Sequence, residues 1–337
     1  MTDRAAQAAH FIEQSGWGQS KRIFLAGDAS NRRYDRLTLP TGETAIFMDA
    51  PPDQGEDVRP FVRIAEYLKT IGLSTPRVFH QNPDAGFLLI EDLGDALFAG
   101  MVAANPDIED MLYRAATDVL VDLHAAAPLS LPLCDASWLT DMTTPVFEWY
   151  VGGPADQSIS RFHDVFCPLA ARLDTGKKVV ILRDYHAENL LWLPDRNGTA
   201  KVGLLDFQDA LLGHPAYDLV SILQDARRDV APQLEAAMIT HYLEKTDVDE
   251  NEFRTAYALL GAQRNLRILG IFSRLCLRDD KAHYVDLIPR VWGYVMRNLA
   301  HPTLAPLATF IETTLPYPSH EYLEHLKSQC ATIPMPS

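Results

Sequence analysis

Two carboxylates and one amide stand out by their spacing. Asp184 lies in Leu182-Arg183-Asp184-Tyr185-His186-Ala187-Glu188-Asn189, and Asp206 lies in Leu204-Leu205-Asp206-Phe207-Gln208. Asn189 opens one β-rich run and Asp206 closes the next, so a hairpin over 189–206 brings these two side chains together and leaves Asp184 on the loop before it. A carboxylate on a loop can orient a hydroxyl and take its proton. A carboxylate paired with an amide oxygen suits magnesium, a hard cation that keeps several waters. Phosphoryl transfer needs these parts, because positioning and charge neutralisation carry most of its catalysis. Any one of the three, taken alone, is also an ordinary turn or cap residue.

The elements that must position them read in two blocks. Up to residue 93 the chain alternates β-rich runs with turns: Lys21–Ala26, the turn Gly27-Asp28-Ala29-Ser30, Arg33–Leu39, Pro40-Thr41-Gly42 and Thr44–Met48. Apolar residues at 58, 61, 62, 65 and 68 predict a helix that Gly72 ends, and two further strands are expected at Arg77–His80 and Phe87–Ile90. Beyond Leu93 the chain turns helical. Asn105-Pro106 reads as a helix N-cap with proline at the first helical position, followed by acids in the first turn. Strands interrupt at Val179–Leu182, Asn189–Leu193 and Lys201–Leu205, with Asn197-Gly198 turning the last hairpin, and residues 216–330 are mostly helical. The expectation is an α+β fold with a β-rich lobe over 1–93 and a larger, mainly helical lobe over 94–337.

Arg183, Asp184 and Asn189, followed by Asp206-Phe207, resemble the protein-kinase pattern H-R-D-x-x-x-x-N and D-F-G. Leu182 replaces the histidine, Gln208 replaces the glycine, and no A-P-E segment follows. These departures resemble the aminoglycoside phosphotransferase-like branch of that fold, whose acceptors are small molecules. The resemblance implies a protein-kinase-like two-lobed fold, ATP and Mg2+ as cofactors, Asp184 as base with Arg183 beside it, and Asn189 and Asp206 as metal ligands. It also implies that the turn at Asp28, Ala29 and Ser30 covers the phosphates and that the backbone from Glu91 to Leu93 holds the adenine edge. Asp218, in Gly213-His214-Pro215-Ala216-Tyr217-Asp218-Leu219, would support the catalytic loop, or serve simply as a helix N-terminal acid. Further strings, Gly27–Tyr34, Met48–Pro52, Asp206–Ala210 and Gln263–Phe272, are similar to the bacterial anomeric amino-sugar kinases, which phosphorylate the C1 hydroxyl of N-acetylmuramate and N-acetylglucosamine.

Two details depart from or add to that pattern. Met48 falls where kinases place their phosphate-binding lysine, and Glu66 falls where the partner glutamate is expected. A cation should then replace the lysine, with Arg33 first and Arg36 second, on opposite faces of one strand. Gln263, Arg267 and Arg274 recur at helical spacing, and Arg264 stands beside them; this stripe could grip a sugar carboxylate or acetamido group, or be a solvated face.

Composition sets outer limits. A net charge of -15 argues against a nucleic-acid partner. The cysteines at 134, 167, 276 and 330 form no C-x-x-C pair, and the chain carries no signal-peptide run and no 20-residue apolar stretch. The expected protein is cytoplasmic, with a small-molecule partner and no membrane. Two other readings stand beside it: a kinase of another small alcohol, such as an aminoglycoside, choline or homoserine, and a non-catalytic nucleotide-binding protein.

Overall fold

The computed structural model describes residues 4–27 and 31–333. In chain order the elements begin with α1 (Arg4–Gln14), β1 (Lys21–Gly27), β2 (Arg33–Thr38), β3 (Thr44–Asp49), α2 (Arg59–Thr70), β4 (Val78–Asn82), β5 (Phe87–Glu91), α3 (Phe98–Ala104) and α4 (Glu109–Ala125). There follow α5 (Ala136–Asp141), α6 (Asp156–Ala170), β6 (Val179–Ile181), β7 (Leu190–Trp192), β8 (Val202–Leu204), β9 (Leu211–Gly213) and α7 (Ala216–Leu223). The chain closes with α8 (Pro232–Glu244), α9 (Glu250–Leu277), α10 (Ile288–Leu299), α11 (Ala305–Thr314) and α12 (His320–Ser328). Among the described residues no helix is long and apolar enough to cross a membrane.

Packing groups the chain into two units, Met1–Ala126 with Ala187–Ala210, and Ala127–His186 with Leu211–Ser337. The first unit is built on an antiparallel sheet in the order β1-β2-β3-β5-β4. Period-2 patterning sends Leu37, Ala45, Phe47, Phe87 and Leu89 to one face, where Ala8, Phe11 and Ile12 of α1 cover them. Met48 is buried on the opposite face, between Tyr34 and Leu88 in register. The β7–β8 pair belongs to this unit. Ser74 Oγ donates to the Ala200 carbonyl at 2.6 Å, the Leu204 N–H donates to the Ser74 carbonyl at 2.8 Å, and Thr199 Oγ1 of the same hairpin donates to Asp122 of α4 at 2.7 Å. These bonds explain why the units divide differently from the lobes expected at 93/94.

In the second unit, β6 pairs with β9, and the helices gather around α9. Asp249 caps α9 by accepting the Glu252 N–H. Two glycines fix how its neighbours approach. A Cβ at Gly270 would lie 2.3 Å from the Pro145 carbonyl carbon, where a turn of π-helix (Val146–Val151) begins. A Cβ at Gly261 would meet the Asn298 side chain of α10 at 2.5 Å. Between α7, α8, α9 and α10 runs a buried polar network. The Gln224 carbonyl oxygen accepts from Asn265 and Asn298, each at 2.8 Å, and its amide donates to Glu235 at 3.1 Å. At the far end, the Ala331 and Ile333 N–H groups donate to the Cys276 and Leu277 carbonyls, closing the last turn of α9.

The sequence reading overlooked α3, α5, α6 and β9. In the hairpin between β7 and β8, a 3-10 turn over Gly198–Lys201 replaces a two-residue turn, because only Gly198 adopts positive φ while Asn197 is extended.

Candidate active site

In the second unit, β6 runs into Leu182-Arg183-Asp184. Asp218, in the first turn of α7, accepts the Leu182 N–H at 2.6 Å and the Arg183 N–H at 2.8 Å. It is therefore both a helix N-terminal acid and the support of the loop. Ser221 Oγ, one turn further along α7, donates to the Arg183 carbonyl at 3.1 Å. The loop is bent tightly: the Asp184 N–H returns to the Leu182 carbonyl, and Arg183 has φ 73°. Such a conformation costs a non-glycine residue about 1–3 kcal/mol and persists only where its surroundings impose it. The Arg183 guanidinium lies 5.2 Å above the Trp138 ring of α5. Asp184 is left half-buried at the apex of this bend.

The surrounding electrostatics are unusual. Burial pushes the Asp218 carboxyl up to about 7; its two backbone donors pull the other way and the Asp184 charge adds to the rise. Burial, then the charges of Arg227 and Arg264, push His186 down to about 3, so its imidazole is neutral near pH 7. Arg264 is 8% exposed and makes no ion pair among the described residues. Burial lowers its pKa, while the fields of Tyr217, Asp184 and Asp225 favour its charge.

In the first unit, β7 and β8 bring Asn189 and Asp206 together. Asn189 Nδ2 lies 3.4 Å from Asp206 Oδ2, and the Leu205 N–H donates to the Asn189 carbonyl at 3.0 Å. Gln208 Nε2 donates to Asp206 Oδ1 at 2.7 Å. Asp206 also has positive φ, 57°, and the next residue, Phe207, buries its ring 4.8 Å from Phe61 of α2. The donors on this hairpin are an amide and a carboxylate, oxygen ligands that fit magnesium and leave positions for phosphate and water.

The remaining expected residues separate into groups. Asp28, Ala29 and Ser30 lie outside the described residues. Arg33 is exposed, stacks on Phe24 and pairs with Asp35 at 3.1 Å. Asp35, fully buried and bound at 2.6 Å by Arg22 as well, was not singled out from the sequence. Arg36 pairs with Asp92 at 2.7 Å and with Asp95 at 2.8 Å, joining β2 to the segment that follows Glu91, the last residue of β5, and contains Leu93. Glu91 directs its carboxylate to Arg77 and Arg196. Glu66 is exposed on α2, so its charge needs no internal counter-ion, and the inference of a substitute cation at the Met48 position loses that support. On α9, Gln263 is fully buried and donates to the Leu139 carbonyl and Thr143 Oγ1, both at 3.0 Å. Arg267 and Arg274 are half-buried on the same helix.

Residues 21–255 match the Phosphotransferase enzyme family (APH). The chain belongs to that family. It is 39% identical, over 94% of its length and 98% of the relative's, to an N-acetylmuramate/N-acetylglucosamine kinase of Caulobacter vibrioides. A kinase of the same name from Pseudomonas aeruginosa is 32% identical over 88% of this chain and 90% of its own. Among solved structures, a choline/ethanolamine kinase family protein of Mesorhizobium loti superposes with a TM-score of 0.60 at 14% identity, covering 97% of this chain and all of its own. The fold is α+β and protein-kinase-like, and the family member is an ATP-dependent small-molecule kinase.

Proposed function

We propose that the chain transfers the γ-phosphoryl group of ATP to the anomeric C1 hydroxyl of N-acetylmuramate and N-acetylglucosamine. The carrying observation is the Asp218-held loop that presents Asp184, in a chain whose relative of that name matches over 94% of its length. Asp184 orients the sugar hydroxyl and takes its proton as the new O–P bond forms and ADP departs. Arg183 contributes through its backbone, whose strained turn sets the direction of Asp184. Asn189 and Asp206 hold magnesium by their oxygens. When bound, that ion neutralises charge on the phosphates. The backbone of Glu91 to Leu93 receives the adenine edge, steadied by the Arg36 pairs to Asp92 and Asp95. Arg33 acts on the sheet by holding Asp35, and Glu66 takes no part in the reaction. A small polar substrate and four free cysteines suit a cytoplasmic enzyme.

The test is mass spectrometry and phosphorus NMR of products from ATP and magnesium with N-acetylmuramate, N-acetylglucosamine, an aminoglycoside and choline. A phosphorylated amino sugar that has lost its reducing end is expected. A product that keeps its reducing end removes the C1 assignment, and phosphorylation of choline or the antibiotic alone removes the sugar.

A further inference from the structure

Resting on that reading, we propose that Arg267 and Arg274 of α9 form a carboxylate-binding subsite that recognises the lactyl acid of N-acetylmuramate. Several arginines elsewhere in the fold sit on acids: Arg36 on Asp92, Arg290 on Asp229, and Arg278, one turn beyond Arg274, on Asp279 at 2.6 Å. Arg264, Arg267 and Arg274 do not. Among the described residues no carboxylate lies within ion-pair distance of any of the three, in a chain that carries 45 acids. Their Nη1, Nε and Nε atoms, respectively, are buried without a hydrogen-bond partner. Spacings of 3 and 7 residues turn them toward one side of the helix.

The stretch of α9 that carries the cluster is held in place by its neighbours. Gly270, between Arg267 and Arg274, packs against the Pro145–Val146 backbone, and Gln263 ties the preceding turn to α5. Like charges are therefore held together. Burial is the main influence lowering Arg264 and Arg274, and the Arg267 charge lowers both further. Acids do act on the cluster from a distance: Asp184 and Asp225 on Arg264, and Glu148 and Asp279 on Arg274. Arg264 thus lies within the field of Asp184, whereas Arg267 and Arg274 carry the positive charge further along α9. A half-buried pair of guanidinium groups without an acidic partner gains most from an anion that its forks can bind directly. A neutral acetamido group gives no such relief. N-acetylmuramate differs from N-acetylglucosamine by one ether-linked carboxylate, so the subsite discriminates between two sugars that share the reacting hydroxyl.

The experiment compares kcat/KM for both sugars, at saturating ATP, in the unaltered enzyme, Arg267→Met and Arg274→Met. The ratio of N-acetylmuramate to N-acetylglucosamine is expected to fall by about 10- to 100-fold in each variant, the scale of a lost charge-assisted contact. A ratio within about threefold of the unaltered enzyme overturns the subsite. So does a rise in KM for ATP with an unchanged sugar ratio, which assigns the arginines to phosphate instead. Arg267→Lys and Arg274→Lys keep the charge and lose the fork. They decide the matter should the methionine variants fail to fold, with a several-fold fall in the same ratio expected and an unchanged ratio overturning the subsite. Failure of the unaltered enzyme on both sugars removes the substrate assignment and the subsite together; an unchanged ratio removes only the subsite.

Discussion

Asp218 holds Arg183 by its backbone: the carboxylate, buried in the first turn of α7, accepts the Arg183 N–H at 2.8 Å and so shapes the bend that presents Asp184. An amide at this position would offer a donor to a donor. Asp218→Asn should therefore lower kcat by about 10- to 100-fold while nucleotide affinity changes little. Single-turnover kinetics with a separate nucleotide titration checks the split.

The same carboxyl gives a pH dependence. Its pKa rises from 3.8 when unfolded to about 7 when folded. Between those values the folded chain holds a proton that the unfolded chain has released, so this group's contribution to stability is present below 3.8 and is lost as pH rises to about 7. Denaturant melts across that range should show a decline in stability, and Asp218→Asn should flatten it.

Asp184→Asn should bind nucleotide and lose turnover by about 10²-fold or more, the scale of a missing base. Asp206→Asn should weaken the productive nucleotide complex as well. Asn189→Ala should recover in part at raised magnesium. Near wild-type kcat in Asp184→Asn would remove Asp184 from its role.

Gly270→Ala should destabilise the fold by about 3 kcal/mol, because the added methyl meets main chain that cannot rotate away. Gly261→Ala meets only the Asn298 side chain, but displacing it breaks the bonds to Gln224. Gln224→Leu should cost a similar amount, about 2–3 kcal/mol, by leaving Asn265, Asn298 and Glu235 without that partner. Urea unfolding of the three variants checks this ranking.

Arg36→Met should raise KM for ATP several-fold, and the effect should be non-additive with Asp92→Asn, since both remove one pair. Arg33→Met removes an exposed guanidinium from a buried Asp35 that Arg22 still holds, and should stay within about twofold. Equal effects from both changes would undo the assignment of Arg36 to the segment after β5.

The β-rich block, the α2 periodicity and the Asn189–Asp206 pair were legible in sequence because each rests on local rules: alternation, 3.6-residue spacing, and strand ends joined by a short hairpin. Asp35 was not legible. Its partners Arg22 and Arg33 depend on strand register, which only the folded sheet fixes. Gln263 read as part of a polar stripe because its azimuth matches Arg267, yet α5 covers it, and the packing partner of a helix face is not written in that helix. That Asp218 fills both of its expected roles depends on α7 packing behind Leu182 and Arg183, which no local pattern encodes.

The two N–H groups donated by Ala331 and Ile333 to the end of α9 have a practical consequence. The segment after α12 is a strap on the helix that carries Arg274, so trimming the chain after Ser328, whether by a protease or in cloning, would fray that helix from its far end. On the proposed subsite, damage there is expected to register as a change in sugar preference.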